Sequence, residues 1–260
     1  MLIGNEWVES VSGDRFTTHD PATGDELASL PRSNATDADL AVSVARTALK
    51  EGVWKNMLPA EKAKIMWRIG ELIDANIDEL AELETLDQGK PLFVGRWAEI
   101  PGMCTKIESS VIPTSIGYQP PSKRVHAHTR KEPVGVVAAI TPWNSPLILS
   151  VMKVAPALAA GCSVILKPAE DTSLTAIRLG ELCIEAGLPA GVLNIVTGYG
   201  SEIGQALAEH ADVDKIAFTG SGATGRKILQ AAQGNLKKVS LELGGKSPMI
   251  VMDDADLELA

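Results

Sequence analysis

Glu242 stands between Leu241 and Leu243 in an apolar run, immediately ahead of Gly244-Gly245. A carboxylate in such a run is costly to bury unless it is used, and desolvation moves its pKa up toward neutrality, where a general base works. The alternative is a structural acid bonded to nearby backbone. Asn144 follows Trp143 on a turn bracketed by Pro142 and Pro146; a side-chain amide held there can donate to a developing oxyanion, or can simply brace the turn. Lys167, Pro168, Ala169 and Glu170 set a cation and an acid three residues apart. An acid at the end of a strand can accept hydrogen bonds from ribose hydroxyls and disfavours an added phosphate, which favours NAD over NADP. The same pair also occurs as a plain surface ion pair. The segment Phe218, Thr219, Gly220, Ser221, Gly222, Ala223, Thr224, Gly225 is glycine-rich but matches neither GxGxxG nor a Walker sequence. Running from a strand into a helix, it would aim backbone N–H groups at a phosphate, or serve as an ordinary connection.

These residues fall at regular places in a β, α, β, α rhythm that starts at Gly135. Continuous apolar runs predict strands at Val136–Ile140, Ser163–Leu166, Leu193–Val196, Lys215–Phe218 and Val239–Leu243, with another from Ser247. Helices are predicted after Pro146, over Thr172–Gly187, from Ser201 to about His210 and from Thr224 to about Ala232, and one opens at Asp253. An open α/β sheet binds ligands beyond the carboxyl ends of its strands. There lie Ile140, Thr141, Pro142 and Trp143; the Lys167–Glu170 segment; Gly200 and Gly204 of GYGSEIG; the FTGSGATG turn; and LELGGKSP. Upstream, Met1 to about Pro31 reads as short edge strands between turn signals. Thr36 is placed to cap a helix that stops near Gly52, and a further helix follows Pro59, breaks at Asn76, resumes and ends at Gly89.

The chain has 260 residues, 45% hydrophobic and 22% charged, the make-up of a globular protein with a sizeable core. A formal charge of −9 leaves no basic footprint, which argues against nucleic acid and anionic membrane partners. Cys104, Cys162 and Cys183 are odd in number and widely spaced, fitting neither a disulfide framework nor a zinc site, so a reducing, cytoplasmic setting is expected. His126 and His128 alternate along a strand-like stretch with no acidic or cysteine partner nearby and read as solvated; no metal site is expected. The start MLIGNEWVES has no basic segment followed by an apolar run, and prolines and Lys153 interrupt the most apolar stretch, so neither a signal peptide nor a membrane span is expected.

The segments TPWNSP, LKPAEDT, FTGSGATG and LELGGKSP, in this order and spacing, closely resemble the NAD(P)-dependent aldehyde dehydrogenases, and the likeness extends upstream through LETLDQGKP and DPATGDELASLP. It covers essentially the whole chain. The resemblance implies an α/β fold with a Rossmann-like doubly wound parallel sheet, N-terminal helices and an oligomerisation β-arm. It divides the chain into N-terminal strands and helices (1–116), the arm (117–134), the NAD-binding core (135–245) and the start of a catalytic domain (246–260).

The implied reaction oxidises an aldehyde to a carboxylic acid, by hydride transfer from a thiohemiacetal to NAD and hydrolysis of the resulting thioester. Asn144 would stabilise the oxyanion and Glu242 would activate water. Lys167 and Glu170 would hold the adenosine ribose, and Gly200 and Gly204 would face the adenine. Ser221 with the helix start at Thr224 and Gly225 would meet the pyrophosphate, Ile140 to Trp143 and Phe218 to Gly220 would line the groove, and Leu243 and Gly244 would face the nicotinamide. The family's nucleophilic Cys lies in a later motif, and none of the three cysteines here matches it. The expectation is therefore an N-terminal cofactor-binding part, truncated before that Cys and inactive alone, from a protein that is a homo-oligomer in full. A non-catalytic nucleotide-binding module is the alternative. The stretch Arg96–Ile112 reads as shorter than the family's helix.

Overall fold

The computed structural model describes residues 1–101, 103, 107, 117–118, 128–129, 131–256 and 258. Its centre is a parallel sheet of β7 (Val136–Ile140), β8 (Ser163–Lys167), β9 (Leu193–Ile195), β10 (Lys215–Gly220) and β11 (Lys238–Leu243). The five strands predicted between Val136 and Leu243 therefore form, each within two residues of its expected ends. Every residue of β7 and β8 is buried, which is why these segments read as unbroken apolar runs and not as alternation: both sheet faces are covered.

Helices α1 (Ala35–Glu51), α8 (Gln205–Glu209) and α9 (Gly222–Ala231) cover one face. There Ala38, Ala41, Val42 and Leu207 pack on Val136, Ala138, Ile140 and Ile165. On the other face lie α3 (Pro59–Ala75), α4 (Ile77–Gln88), α6 (Pro146–Ala159) and α7 (Leu174–Glu185), with Trp54 of the short helix α2 (Val53–Asn56). Here Ile69, Ile73, Leu147 and Val151 meet Ala139, Val164 and Leu166. A further short helix, α5 (Leu92–Val94), runs into a π-helical turn at Gly95–Glu99.

The strand order is β11-β10-β7-β8-β9-β1-β2. From β7 the chain steps outward to β8 and β9, then returns to lay β10 on the other side of β7, so the topological switch point lies between β7 and β10. The register pairs Phe218 with Ile140 and Ile140 with Lys167, which brings the loops after β10, β7 and β8 to one edge. The N-terminal strands β1 (Leu2–Ile3) and β2 (Glu6–Trp7) extend this sheet antiparallel beyond β9, while β3 (Arg15–His19) and β4 (Glu26–Pro31) form a separate hairpin.

Three expectations are corrected. The cap of α1 is Asn34, whose side chain accepts from the N–H groups of Thr36 and Asp37 while Asp37 accepts from the Asn34 N–H. The reciprocal pair fixes the start ahead of Thr36, which lies in the first turn. The run from Ser247 to Met252 forms no strand; Met249 and Ile250 are each 77% exposed. A strand needs a neighbour for its ladder, and no described strand lies beside this run. Asp253 to Glu258 shows turns in place of the expected helix among its described residues.

Of the expected arm, β5 (Gly117–Tyr118) pairs with β6 (His128–Thr129). His126, Cys104 and most of the stretch that reads as shortened lie outside the described residues. Among the described residues no helix is long and apolar enough to cross a membrane, and no cluster of three His, Cys, Asp or Glu is placed to hold a metal.

Candidate functional site

At the carboxyl end of β8, the Lys167 side chain is only 2% exposed, and its Nζ meets Glu170 Oε2 at 2.8 Å. The pair is thus not the surface ion pair that spacing alone allows. Burial pulls the Lys167 pKa below the ordinary lysine value against the opposing pull of Glu170. Burial pushes the Glu170 carboxyl up, but Lys167 and a backbone hydrogen bond from Gly200 outweigh it and hold Glu170 below the ordinary carboxylate value. Gly200 opens the turn after β9, and a Cβ there would come within 3.9 Å of Lys167 Nζ. Lys167, Glu170 and Gly200 therefore converge, with Pro168 buried and Ala169 half-buried between the first two.

Gly200 to Gly204 form a π-helical turn. Arg32, just past β4, grips Glu202 of this turn through both guanidinium arms and lies 4.9 Å from the centre of the Tyr199 ring, which packs on Phe16. No local sequence signal pointed to Arg32, because its partner lies far along the chain.

After β10, Ser221 caps α9 by accepting from the Thr224 N–H at 3.1 Å. The N–H groups of Gly222 and Ala223 then have no partner within the helix, as the geometry of a helix start requires. Gly225 is buried, and a Cβ there would stand 2.8 Å from Leu243 Cδ2; its lack of a side chain lets α9 lie against β11. Phe218 is buried beneath Gly220, where a Cβ would strike the Phe218 ring at 2.5 Å. The Thr219 hydroxyl is buried without a hydrogen-bond partner.

The turn after β7 begins with Thr141, buried, its N–H on the Lys167 carbonyl at 3.1 Å. Pro142 is half-buried, and Trp143 and Asn144 are exposed.

Glu242 departs from expectation. It is exposed, because β11 is the outermost of the described strands and its residues on that face are left largely uncovered. It lies opposite Thr219 in the register. Both line a groove of about 600 Å³ with Ser240, Ala217, Met152 and Lys153. Burial pulls the Lys153 pKa below the ordinary value, and the charge of Glu242 opposes that shift. In the sequence Lys153 counts only as an interruption of the most apolar stretch and not as a site residue; its signal is a single cation in the apolar helix α6. Leu243, Gly244 and Gly245 continue exposed beyond Glu242.

Cys162 and Cys183 are buried free cysteines, and burial pushes the Cys183 thiol up to about 12, so Cys183 presents no thiolate. A dinucleotide fits the residues present: an acid and a buried lysine at one strand end, a glycine facing that lysine, and a capped helix start beside the switch point.

A sequence profile of the aldehyde dehydrogenase family matches residues 7–260. The chain is similar to phenylacetaldehyde dehydrogenase of Pseudomonas fluorescens, 48% identical over 98% of this chain and 53% of that protein. It is likewise similar to the mitochondrial aldehyde dehydrogenase family 2 member B4 of Arabidopsis thaliana, 48% identical over 100% of this chain and 49% of that protein. The NAD+ complex of an aldehyde dehydrogenase from Bacillus cereus superposes with a TM-score of 0.96 at 43% identity, covering 99% of this chain and 53% of that one. The chain spans about half the length of the curated relatives it matches.

Proposed function

This chain belongs to the aldehyde dehydrogenase family, and from that premise we propose that it supplies the NAD site, the oxyanion donor and the general base of an enzyme that oxidises an aldehyde to a carboxylic acid. The observation that carries the reading is the convergence of Lys167, Glu170 and Gly200 at the carboxyl end of the sheet. Glu170, held ionised by Lys167, accepts from the ribose hydroxyls and repels a phosphate there, which favours NAD over NADP. Ser221 fixes the start of α9, so the free N–H groups of Gly222 and Ala223 meet the pyrophosphate. Bound NAD supplies a hydride acceptor. Asn144 donates its amide to the oxyanion that forms on the aldehyde carbonyl. Glu242, exposed beside Lys153 on the groove, takes a proton from the water that hydrolyses the acyl intermediate.

The nucleophile is assigned to neither Cys162 nor Cys183, both of which are buried, Cys183 being kept a thiol by that burial. Two buried free thiols suit a reducing compartment such as the cytoplasm.

Calorimetric titration of the 260-residue chain with NAD tests the reading. Saturable binding is expected, weakened at least about tenfold by Lys167→Ala and by Glu170→Ala, which corresponds to about 1.4 kcal/mol. Absence of binding, or binding indifferent to both substitutions, overturns it.

A further inference from the structure

A buried chain of charged groups lies between α4 and the turn that carries Asn144, and the chemistry above does not use it. Gly89 ends α4 in the left-handed conformation, with φ 81°, where a Cβ would meet Pro21 Cγ at 2.9 Å. The reversal brings Lys90 back beside Glu84, with Lys90 Nζ 3.7 Å from Glu84 Oε2, and Lys90 also pairs with Glu99 on the π-helical turn. The Glu84 and Lys90 side chains are 1% and 8% exposed.

Both carboxylates then reach the segment around Asn144. Glu99 Oε1 accepts from Ser145 Oγ at 3.2 Å, and Glu84 Oε1 accepts from the Leu147 N–H at 3.4 Å. Gln88 Nε2 donates to the Asn144 carbonyl at 3.4 Å. The contacts fall on residues 144, 145 and 147 and on no later part of α6, which is held by the burial of Leu147, Val151 and Leu158. Two carboxylates brought together repel unless a cation stands between them, and burying Glu84 and Lys90 while half-burying Glu99 is costly. Apolar side chains would anchor α6 at lower cost, but they would not fix the carbonyl and N–H groups on either side of Asn144.

We propose that Lys90, together with Glu84 and Glu99, is a positioning set that fixes the backbone of residues 144–147 and thereby the aim of the Asn144 amide. The inference rests on Asn144 being the oxyanion donor, while its test reads the turn itself.

The experiment is nitrogen-15 NMR of the 260-residue chain, following the Asn144 side-chain amide and the Trp143 indole N–H, with the core indole of Trp54 as internal reference. Lys90→Met and Glu99→Gln, both distant from the turn in sequence, are expected to shift and broaden the Asn144 and Trp143 signals and leave that of Trp54 in place. Lys90→Arg, which keeps the cation, is expected to hold all three near their original positions. Unmoved Asn144 and Trp143 signals in the folded Glu99→Gln protein overturn the proposal, as does displacement of Trp54 to the same extent. Should Lys90→Met fail to fold, Glu99→Gln, nearer the surface and equal in shape, decides alone. NAD binding is followed in parallel. Its absence with a responsive turn would sink the cofactor reading only, and retained binding with an unresponsive turn would sink the positioning set only.

Discussion

At Gly135 and Gly225 an added methyl group meets two different obstacles. Gly135 has φ 131°, and a Cβ there would fall 1.9 Å from Asp214 Oδ2. That carboxylate is not free to move, because it accepts from the Val136 N–H at 2.7 Å and pairs with Arg46 at 2.7 Å. Gly135→Ala is expected to cost about 1–3 kcal/mol from backbone strain, with a comparable amount from overpacking. At Gly225 the obstacle is Leu243 Cδ2, the end of a flexible side chain that is 46% exposed. Leu243 can swing aside, and alanine in a helix gains about 1 kcal/mol over glycine, so Gly225→Ala is expected to leave stability within about 1 kcal/mol of the parent. Urea unfolding of both variants checks the ranking, and a Gly225→Ala protein less stable than Gly135→Ala would refute it. Residue types suggested a chemistry for the site but did not record its environment. Glu242 reads as buried from its leucine neighbours, yet it faces solvent because no described strand lies outside β11. Lys167 allowed a surface ion pair as its alternative reading, yet its side chain is only 2% exposed, with Gly200 of the turn after β9 close to its Nζ. Burial of a single side chain depends on what crosses over it, and neighbours in sequence do not record that.

The end of α4 acts as a scaffold for two loops of the sheet. Asp87 accepts from Thr18 Oγ1 at 2.8 Å and from the Leu174 N–H at 2.9 Å, bracing the start of α7, while Glu84 braces the start of α6. Burial raises the Glu84 pKa above its ordinary value of 4.5, against the pull of Lys90. A carboxyl whose folded pKa is raised favours folding most below its unfolded pKa, and that contribution is lost as pH rises through the folded value. Glu84→Gln cannot ionise and keeps an acceptor for the Leu147 N–H. Its stability relative to the parent is therefore expected to improve steadily from about pH 4 to about pH 7. Unfolding in urea across that range measures it; a difference that stays flat, or runs the other way, would contradict the burial of an ionised Glu84. The helix itself was legible, from its apolar spacing and from Gly89 at its end, whereas its supporting role was not. An acid on a buried helix face carries no mark of which distant N–H it will meet. The parallel strands were legible for the opposite reason, since burial on both faces writes itself into every residue. Ser247–Met252 has the same apolar character but no partner, and composition alone cannot tell the two apart.

Over the whole molecule two opposing surface properties set its behaviour in solution. The formal charge of −9 makes copies of the chain repel one another over about a Debye length, roughly 10 Å in 0.1 M salt. Against this, β11 leaves an open strand edge, and the exposed side chains of Leu243, Met249, Ile250, Val251 and Met252 follow it. An apolar run next to an unpaired edge is a site for strand addition and self-association. Attraction at the edge is short-ranged and unaffected by screening, whereas the repulsion is long-ranged and screened. Added salt is therefore expected to drive the 260-residue chain from monomer toward dimers and larger species. Ile250→Lys, alone or with Met249→Lys, places charge in the run and is expected to shift that onset to higher salt and higher protein concentration. Light scattering over a salt series decides the matter. A monodisperse monomer at every salt concentration would show that the run is covered by the chain itself. Association unchanged by the lysines would place the contact on another face, such as that of the exposed Phe93 in α5 and Trp97 in the π-helical turn.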